Sequence, residues 1–124
     1  MAEIRVLVLG NEEFAHKLDK DLEDEGINHL VDQEDMPGVE YDLYICNPDM
    51  SLINKINANR GSRILVFNGV QISNATLKHL VKLRISGFLD DHSDTSLALS
   101  MLKSLHKAKQ TCARLSSKIQ ALCA

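Results

Sequence analysis

The densest group of chemically capable side chains in this sequence is the run Asp90-Asp91-His92, which joins two carboxylates to an imidazole. Carboxylate oxygens and imidazole nitrogens are common ligands of divalent metals, so the run raises the question of a metal site. Three adjacent residues point in different directions, however, and the sequence offers no second cluster of ligands. We therefore predict a solvated turn that caps the next helix, with no metal and no catalytic residue.

A second candidate is Gly10-Asn11-Glu12, which follows an apolar run and has some likeness to a phosphate-binding loop. Such loops need glycines at fixed spacing, so that backbone N–H groups can approach the phosphate, and usually a lysine. Both are missing here, and no cofactor is predicted. Cys46 is predicted to be a small buried residue, because a reactive thiol needs a nearby cation and none is predictable.

Alternating apolar runs and amphipathic segments must position these candidates. The aliphatic run from Ile4 to Leu9 predicts a strand buried on both faces, as in a parallel sheet. Further strands are predicted at 27–31, 41–46, 63–67 and 86–89, and helices follow every strand except the second. The segment from Asp32 to Glu40 is too short for a full crossover helix. This alternation predicts an α/β, flavodoxin-like (CheY-like) fold, a five-stranded parallel sheet of order 2-1-3-4-5 with an extended C-terminal helix.

Three stretches make residues 4–104 resemble the receiver domain of bacterial response regulators: Arg5-Val-Leu-Val-Leu-Gly-Asn-Glu, Tyr41-Asp-Leu-Tyr-Ile-Cys-Asn and Gly87-Phe-Leu-Asp-Asp-His. That family carries two acids after the first strand for Mg²⁺ and a phosphorylatable Asp closing the third. A Ser or Thr follows the fourth strand, and a Lys follows the fifth. The resemblance assigns these positions, in that order, to Gly10 and Asn11, Asn47, Asn68 and Asp91.

All five positions depart from the family. An amide such as that of Asn47 has no anionic oxygen to accept a phosphoryl group, and Gly10 with Asn11 gives Mg²⁺ no charged ligand. Asp91 in the place of the lysine would repel a phosphate. The resemblance therefore implies a degenerate receiver, or pseudo-receiver. It would signal through protein contacts without phosphorylation and without enzymatic activity. Two alternatives stay open, phosphorylation at Asp49 and the binding of a small ligand.

The C-terminal stretch predicts a helix from about Asp94 to Leu122 that contains neither Gly nor Pro. Its apolar residues recur three and four positions apart, which is the seam of a coiled coil, at Ala98, Met101, Leu105, Ala108, Cys112, Leu115, Ile119 and Leu122. The later part of this seam has nothing left in the chain to cover. We predict a pseudo-receiver domain at 1–104 and a dimerising coiled-coil extension at 105–124. Lys109 and Lys118 flank the seam and mildly oppose a parallel homodimer.

The charges are unevenly distributed along the chain. Eleven acids lie between Asn11 and Glu40 against two lysines, whereas no acid follows Asp94 and five bases lie on the last helix. Five bases without neighbouring aromatic residues are sparse for a nucleic-acid surface. No apolar run is long enough to cross a membrane, no signal peptide is recognisable, and the three unclustered cysteines indicate reduced thiols. These features predict a cytoplasmic protein whose partner is a protein.

Overall fold

The computed structural model describes residues 3–57, 63–67, 73–83 and 85–123, with side chains up to residue 115 in the last helix. Within these residues, strands β1 to β5 span Ile4–Val8, His29–Asp32, Leu43–Cys46, Arg63–Phe67 and Gly87–Leu89. Helices α1 to α4 span Glu12–Asp24, Met50–Asn57, Asn74–Lys82 and Ser96–Cys123. In this part of the chain, no helix is both long enough and apolar enough to cross a bilayer.

The strands form one parallel sheet of order β2-β1-β3-β4-β5, which confirms the order predicted from the sequence. Strand β1 lies between two neighbours, with Val6 opposite both Val31 and Leu43. The connection between β2 and β3, residues 33–42, is described throughout and contains no helix, as its length predicts.

Two clusters of buried side chains cover the two faces of the sheet. Helices α1 and α4 contribute to the first cluster, whose large, fully buried members include Phe14, Phe67, Leu18, Leu22 and Leu102. The second cluster contains Ile53 of α2 and Leu80 of α3. Residues at alternate positions of β1 supply both clusters, because successive strand side chains point to opposite faces.

Short polar side chains fix the starts of the helices. The Asn11 side chain accepts a hydrogen bond from the backbone N–H of Phe14 at 3.0 Å and caps α1. Helix α4 begins at Ser96, two residues after the predicted start. Asp94 accepts hydrogen bonds from the backbone N–H of Ser96 at 2.9 Å and from its hydroxyl at 2.5 Å. The 28 residues of α4 make a rod of about 42 Å at 1.5 Å per residue.

Candidate functional site

Gly10 and Asn47 meet at the carboxyl ends of β1 and β3, where the sheet places its crevice. A Cβ atom on Gly10 would lie 2.5 Å from the side-chain nitrogen of Asn47. Gly10 also has a φ of +84°, a left-handed conformation that L side chains rarely adopt. A carboxylate side chain at position 10 would therefore strain this backbone and displace the Asn47 side chain.

The oxygen and the nitrogen of the Asn11 side-chain amide both make hydrogen bonds within the protein. Its oxygen caps α1 through the N–H of Phe14, and its nitrogen donates to the backbone carbonyl of His92 at 3.3 Å. A carboxylate at this position could keep the cap but could not donate to the carbonyl. The uncharged amide thus joins the start of α1 to the loop between β5 and α4.

Lys17 makes a second link between α1 and the same loop, and sequence reasoning did not find it. Its Nζ donates to the backbone carbonyl of Ser93 at 2.7 Å. The available signal was that Lys17 is one of two lysines among the eleven acids between Asn11 and Glu40. The ammonium group lies on α1, whereas the family carries its lysine after the fifth strand.

Asp91 lies in an exposed turn, as the sequence predicts. Its carboxylate accepts hydrogen bonds from the hydroxyl of Ser93 at 2.7 Å and from the Ser93 backbone N–H at 2.9 Å. These two donors, the hydroxyl first, lower the pKa of Asp91 below its usual value. The charge of this residue is therefore satisfied locally, within its own turn.

His92, the neighbour of Asp91, takes a different direction. Its ring lies 5.0 Å from the ring of Phe67, and Phe67 in turn packs edge to face on Phe14 with ring centres 5.2 Å apart. The run Asp90-Asp91-His92 thus does not converge on one point. Among the described residues, no group of three His, Cys, Asp or Glu side chains is arranged to hold a metal ion.

Three residues considered in the sequence, Cys46, Asn47 and Asp49, lie at the end of β3 or just after it. The backbone carbonyl of Asn47 accepts from the N–H of Asp49 at 2.7 Å, and the Asp49 carbonyl accepts from Ile53, so Asp49 stands at the start of α2 with an exposed side chain. Cys46 is fully buried, which raises its pKa to about 11 and confirms the prediction of a small buried residue. Asn68 lies outside the described residues.

The predicted seam of α4 divides into two environments. Ala98 is fully buried, and Met101 and Leu105 are half-buried against the core of their own chain. Ala108, Cys112 and Leu115 are exposed, and the side chains of Ile119 and Leu122 lie outside the described residues. Leu102, which the seam omits, is fully buried.

Contacts between α4 and the body extend past residue 104, where the sequence places the end of the domain. The Nζ of Lys109 lies 2.8 Å from a carboxylate oxygen of Asp42 and donates to the backbone carbonyl of Glu3 at 2.8 Å. The same oxygen of Asp42 accepts from the backbone N–H of Arg5 at 2.9 Å. The helix is thus attached at the end of the sheet opposite the crevice.

Comparison with known proteins gives likenesses in structure only. The chain is similar to a response regulator protein from Burkholderia pseudomallei, solved with a phosphorylated aspartic acid, calcium ion and citrate. The identity is 21%, the coverage is 91% of this chain and 74% of that one, and the TM-score is 0.59. No protein-family model and no curated protein matches the sequence.

Two further solved structures, both of receiver domains, are also similar to this chain. A CheY-like receiver domain from Methanospirillum hungatei has 14% identity, with 89% of this chain and 98% of that one covered at a TM-score of 0.65. A receiver domain from Bermanella marisrubri has 16% identity, with 79% and 96% covered at a TM-score of 0.54. The chain therefore has the fold of a response-regulator receiver domain.

Proposed function

We propose that this protein is a pseudo-receiver, a cytoplasmic signalling module that acts through protein contacts without being phosphorylated and without catalysis of its own. The observation that carries the proposal is the meeting of Gly10 with Asn47. Where the family needs a metal-binding carboxylate beside a phosphorylatable one, this chain has a glycine in a left-handed conformation and an amide directly over it. Neither residue offers an anionic oxygen to Mg²⁺ or to a phosphoryl donor.

The links between α1 and the loop after β5 support the same proposal. Asn11 donates to the carbonyl of His92, and Lys17 donates to the carbonyl of Ser93. A phosphate-driven switch needs a part of the crevice that changes its contacts when the phosphate arrives. Here the capping residue of α1 and one side chain within α1 already hold that loop through its backbone, and the loop is therefore proposed to keep one conformation.

The proposal is tested by exposing the full chain to acetyl phosphate with Mg²⁺ and measuring its intact mass. We expect no increment of one phosphoryl group. Asp49→Asn is the decisive companion variant, because Asp49 is the nearest carboxylate to the expected acceptor position in sequence. An increment that disappears in Asp49→Asn would establish the alternative of an atypical phosphorylated receiver. An increment that persists would equally overturn a phosphorylation-independent module.

We further propose that the protein forms a homodimer through its C-terminal helix. Support comes from the exposed apolar residues Cys112 and Leu115, which continue the stripe whose earlier members, Ala98 to Leu105, pack on the core. Light scattering on the full chain and on a chain ending at Gln110 tests this. We expect a dimer and a monomer, respectively. A monomeric full chain at high micromolar concentration would contradict dimerisation.

A further inference from the structure

Part of one sheet face is left without a helix because the β2–β3 connection contains none. Leu30 pairs with Arg5 across β2 and β1, and it points away from the core that Val31 reaches. Leu30 keeps 41% of its surface exposed, and Met36 in the connection keeps 48%. We call the surface formed by Leu30, Met36 and the adjoining part of the connection the open face.

The side chain of Tyr41 holds the β2–β3 connection next to β2 and so supports the open face. Its ring is buried and packs edge to face on Tyr44, with ring centres 5.6 Å apart. Its hydroxyl donates to Asp32 at 2.6 Å and accepts from the backbone N–H of Met36 at 3.3 Å. Burial and the Asp32 hydrogen bond raise the pKa of Tyr41 to about 12, so these bonds persist across neutral pH. The connection is therefore a formed surface next to the strand.

The rim of the open face is acidic. Glu34, Asp35 and Glu40 are exposed in the connection, and Asp32 closes β2. Arg5, the strand partner of Leu30, is already paired with Glu3 at 2.9 Å. An apolar centre with an acidic rim favours an amphipathic helix that carries bases beside its apolar stripe.

The free part of α4 has this composition. Beyond Lys109, the exposed apolar residues Cys112 and Leu115 are accompanied by Arg114, and no acid occurs anywhere after Asp94. Residues 110–123 continue the helix for about 21 Å past its last contact with Asp42. Because the helix runs on without a break, this segment cannot turn back onto its own open face. A second copy of the chain can present it.

We propose that, in the homodimer, residues 110–123 of each copy dock on the open face of the other copy and take the place of the missing crossover helix. This proposal rests on the proposed dimerisation through the C-terminal helix and names the surface that receives it. It also explains the uneven charge distribution, since the basic rod of one copy meets the acidic connection of the other. Each copy presents its helix and receives the helix of the other, so the two docking contacts are equivalent and are related by one two-fold axis.

The test measures the dimer dissociation constant by sedimentation equilibrium on the full chain. The variant Leu30→Lys with Met36→Lys places two positive charges on the open face, and both side chains are exposed enough to be replaced without loss of folding. The matched control is Leu77→Lys with Val81→Lys, two exposed apolar residues of α3 at 40% and 64%. We expect the dissociation constant to rise about tenfold or more in the first variant and about twofold or less in the control.

Chemical cross-linking gives an independent readout. In Met36→Cys, a short bismaleimide should join the introduced thiol to Cys112 of the other copy, which peptide mass mapping identifies. A dimer unaffected by the lysine pair and linked only from Cys112 to Cys112 would overturn docking on the open face. It would leave a helix-to-helix dimer intact. A monomeric wild type would overturn the dimer and the docking together.

Discussion

The two halves of helix α4 share one spacing of apolar residues but lie in different surroundings. In the first half, Ala98 and Leu102 are completely buried, and Leu105 packs against the same core. In the second half, Leu115 keeps 53% of its surface exposed. The spacing therefore identifies an amphipathic helix, whereas the sheet beside it decides which part of the stripe becomes core.

Polar contacts divide the helix at the same place. Thr95 at its start hydrogen bonds to Asp21, and Lys103 lies 3.4 Å from Glu25. Lys109 makes the last of these links, to Asp42. The hydroxyl of Thr111 bonds to the carbonyl of Lys107 within the helix. The first half is thus built into the receiver fold, and the second half is displayed beyond it.

The largest expected contrast is between Leu102→Ala and Leu115→Ala. Removing a fully buried leucine side chain should lower the free energy of unfolding by about 3 kcal/mol. Removing the exposed one should change it by about 0.5 kcal/mol or less in a dilute, monomeric sample. Urea denaturation followed by circular dichroism measures both values. Equal losses would mean that the two halves are equally part of the core.

Two truncations locate the division along the helix. A chain ending at Gln110 keeps Leu105 and Lys109, and its melting temperature should match that of the monomeric full chain. A chain ending at Lys103 loses both contacts and should melt about 5–10 °C lower, since about 1 kcal/mol shifts the midpoint by about 4–8 °C in a small domain. Calorimetry on both chains checks this. A Gln110 chain that melts as low as the Lys103 chain would place the division later.

The order of the strands could be predicted from the sequence because each strand is a separate apolar run followed by a helix or a turn. The strand limits were less accurate. The second and third strands were expected at 27–31 and 41–46 and lie at His29–Asp32 and Leu43–Cys46. Ile27 and Tyr41 are buried without belonging to a strand. Ile27 lies three residues after the end of α1, and Tyr41 supports the β2–β3 connection. Hydrophobicity reports burial, which is not the same as pairing.

The site residues that lie at strand ends could be predicted from the sequence. The hydrogen bonds that side chains of the site make to backbone carbonyls could not. The alignment of strand ends put Gly10 and Asn47 in one crevice, and they meet there. The bonds from Asn11 and Lys17 end on carbonyl groups, which leave no mark in a sequence. Leu102 was missed because a helix that packs on a sheet buries a wider stripe of residues than the two positions per seven that form a coiled-coil seam.

A smaller loss of stability is expected from Lys109→Gln, at the boundary between the two halves of α4. The charge pair with Asp42 is partly exposed, at 36% and 20% for the two side chains, so its loss should cost about 0.5–1 kcal/mol. Lys107→Gln, at an exposed position two residues earlier, is the control and should be close to neutral. The difference between the two variants should shrink in 1 M salt, where the screening length falls to about 3 Å. A difference that is independent of salt would argue against a charge pair.

The smallest effect concerns the start of α4 and its dependence on pH. Hydrogen bonds from the Ser96 hydroxyl and then from its backbone N–H lower the pKa of Asp94 below its usual value. Because the folded-state pKa is the lower one, the stabilisation is complete above the unfolded pKa, about 3.9, and is lost as the pH falls through the folded value.

The carboxyl resonance of Asp94, followed by NMR, should therefore titrate below that of an unfolded peptide. Asp94→Asn should remove this part of the acid sensitivity, because the amide oxygen still accepts the hydrogen bonds but does not titrate. The backbone resonances of the first turn of α4 should shift together with the carboxyl, whereas those of Leu115 should not. An Asp94 that titrates with or above the unfolded peptide would show that the first half begins without this cap, and that burial alone separates it from the second half.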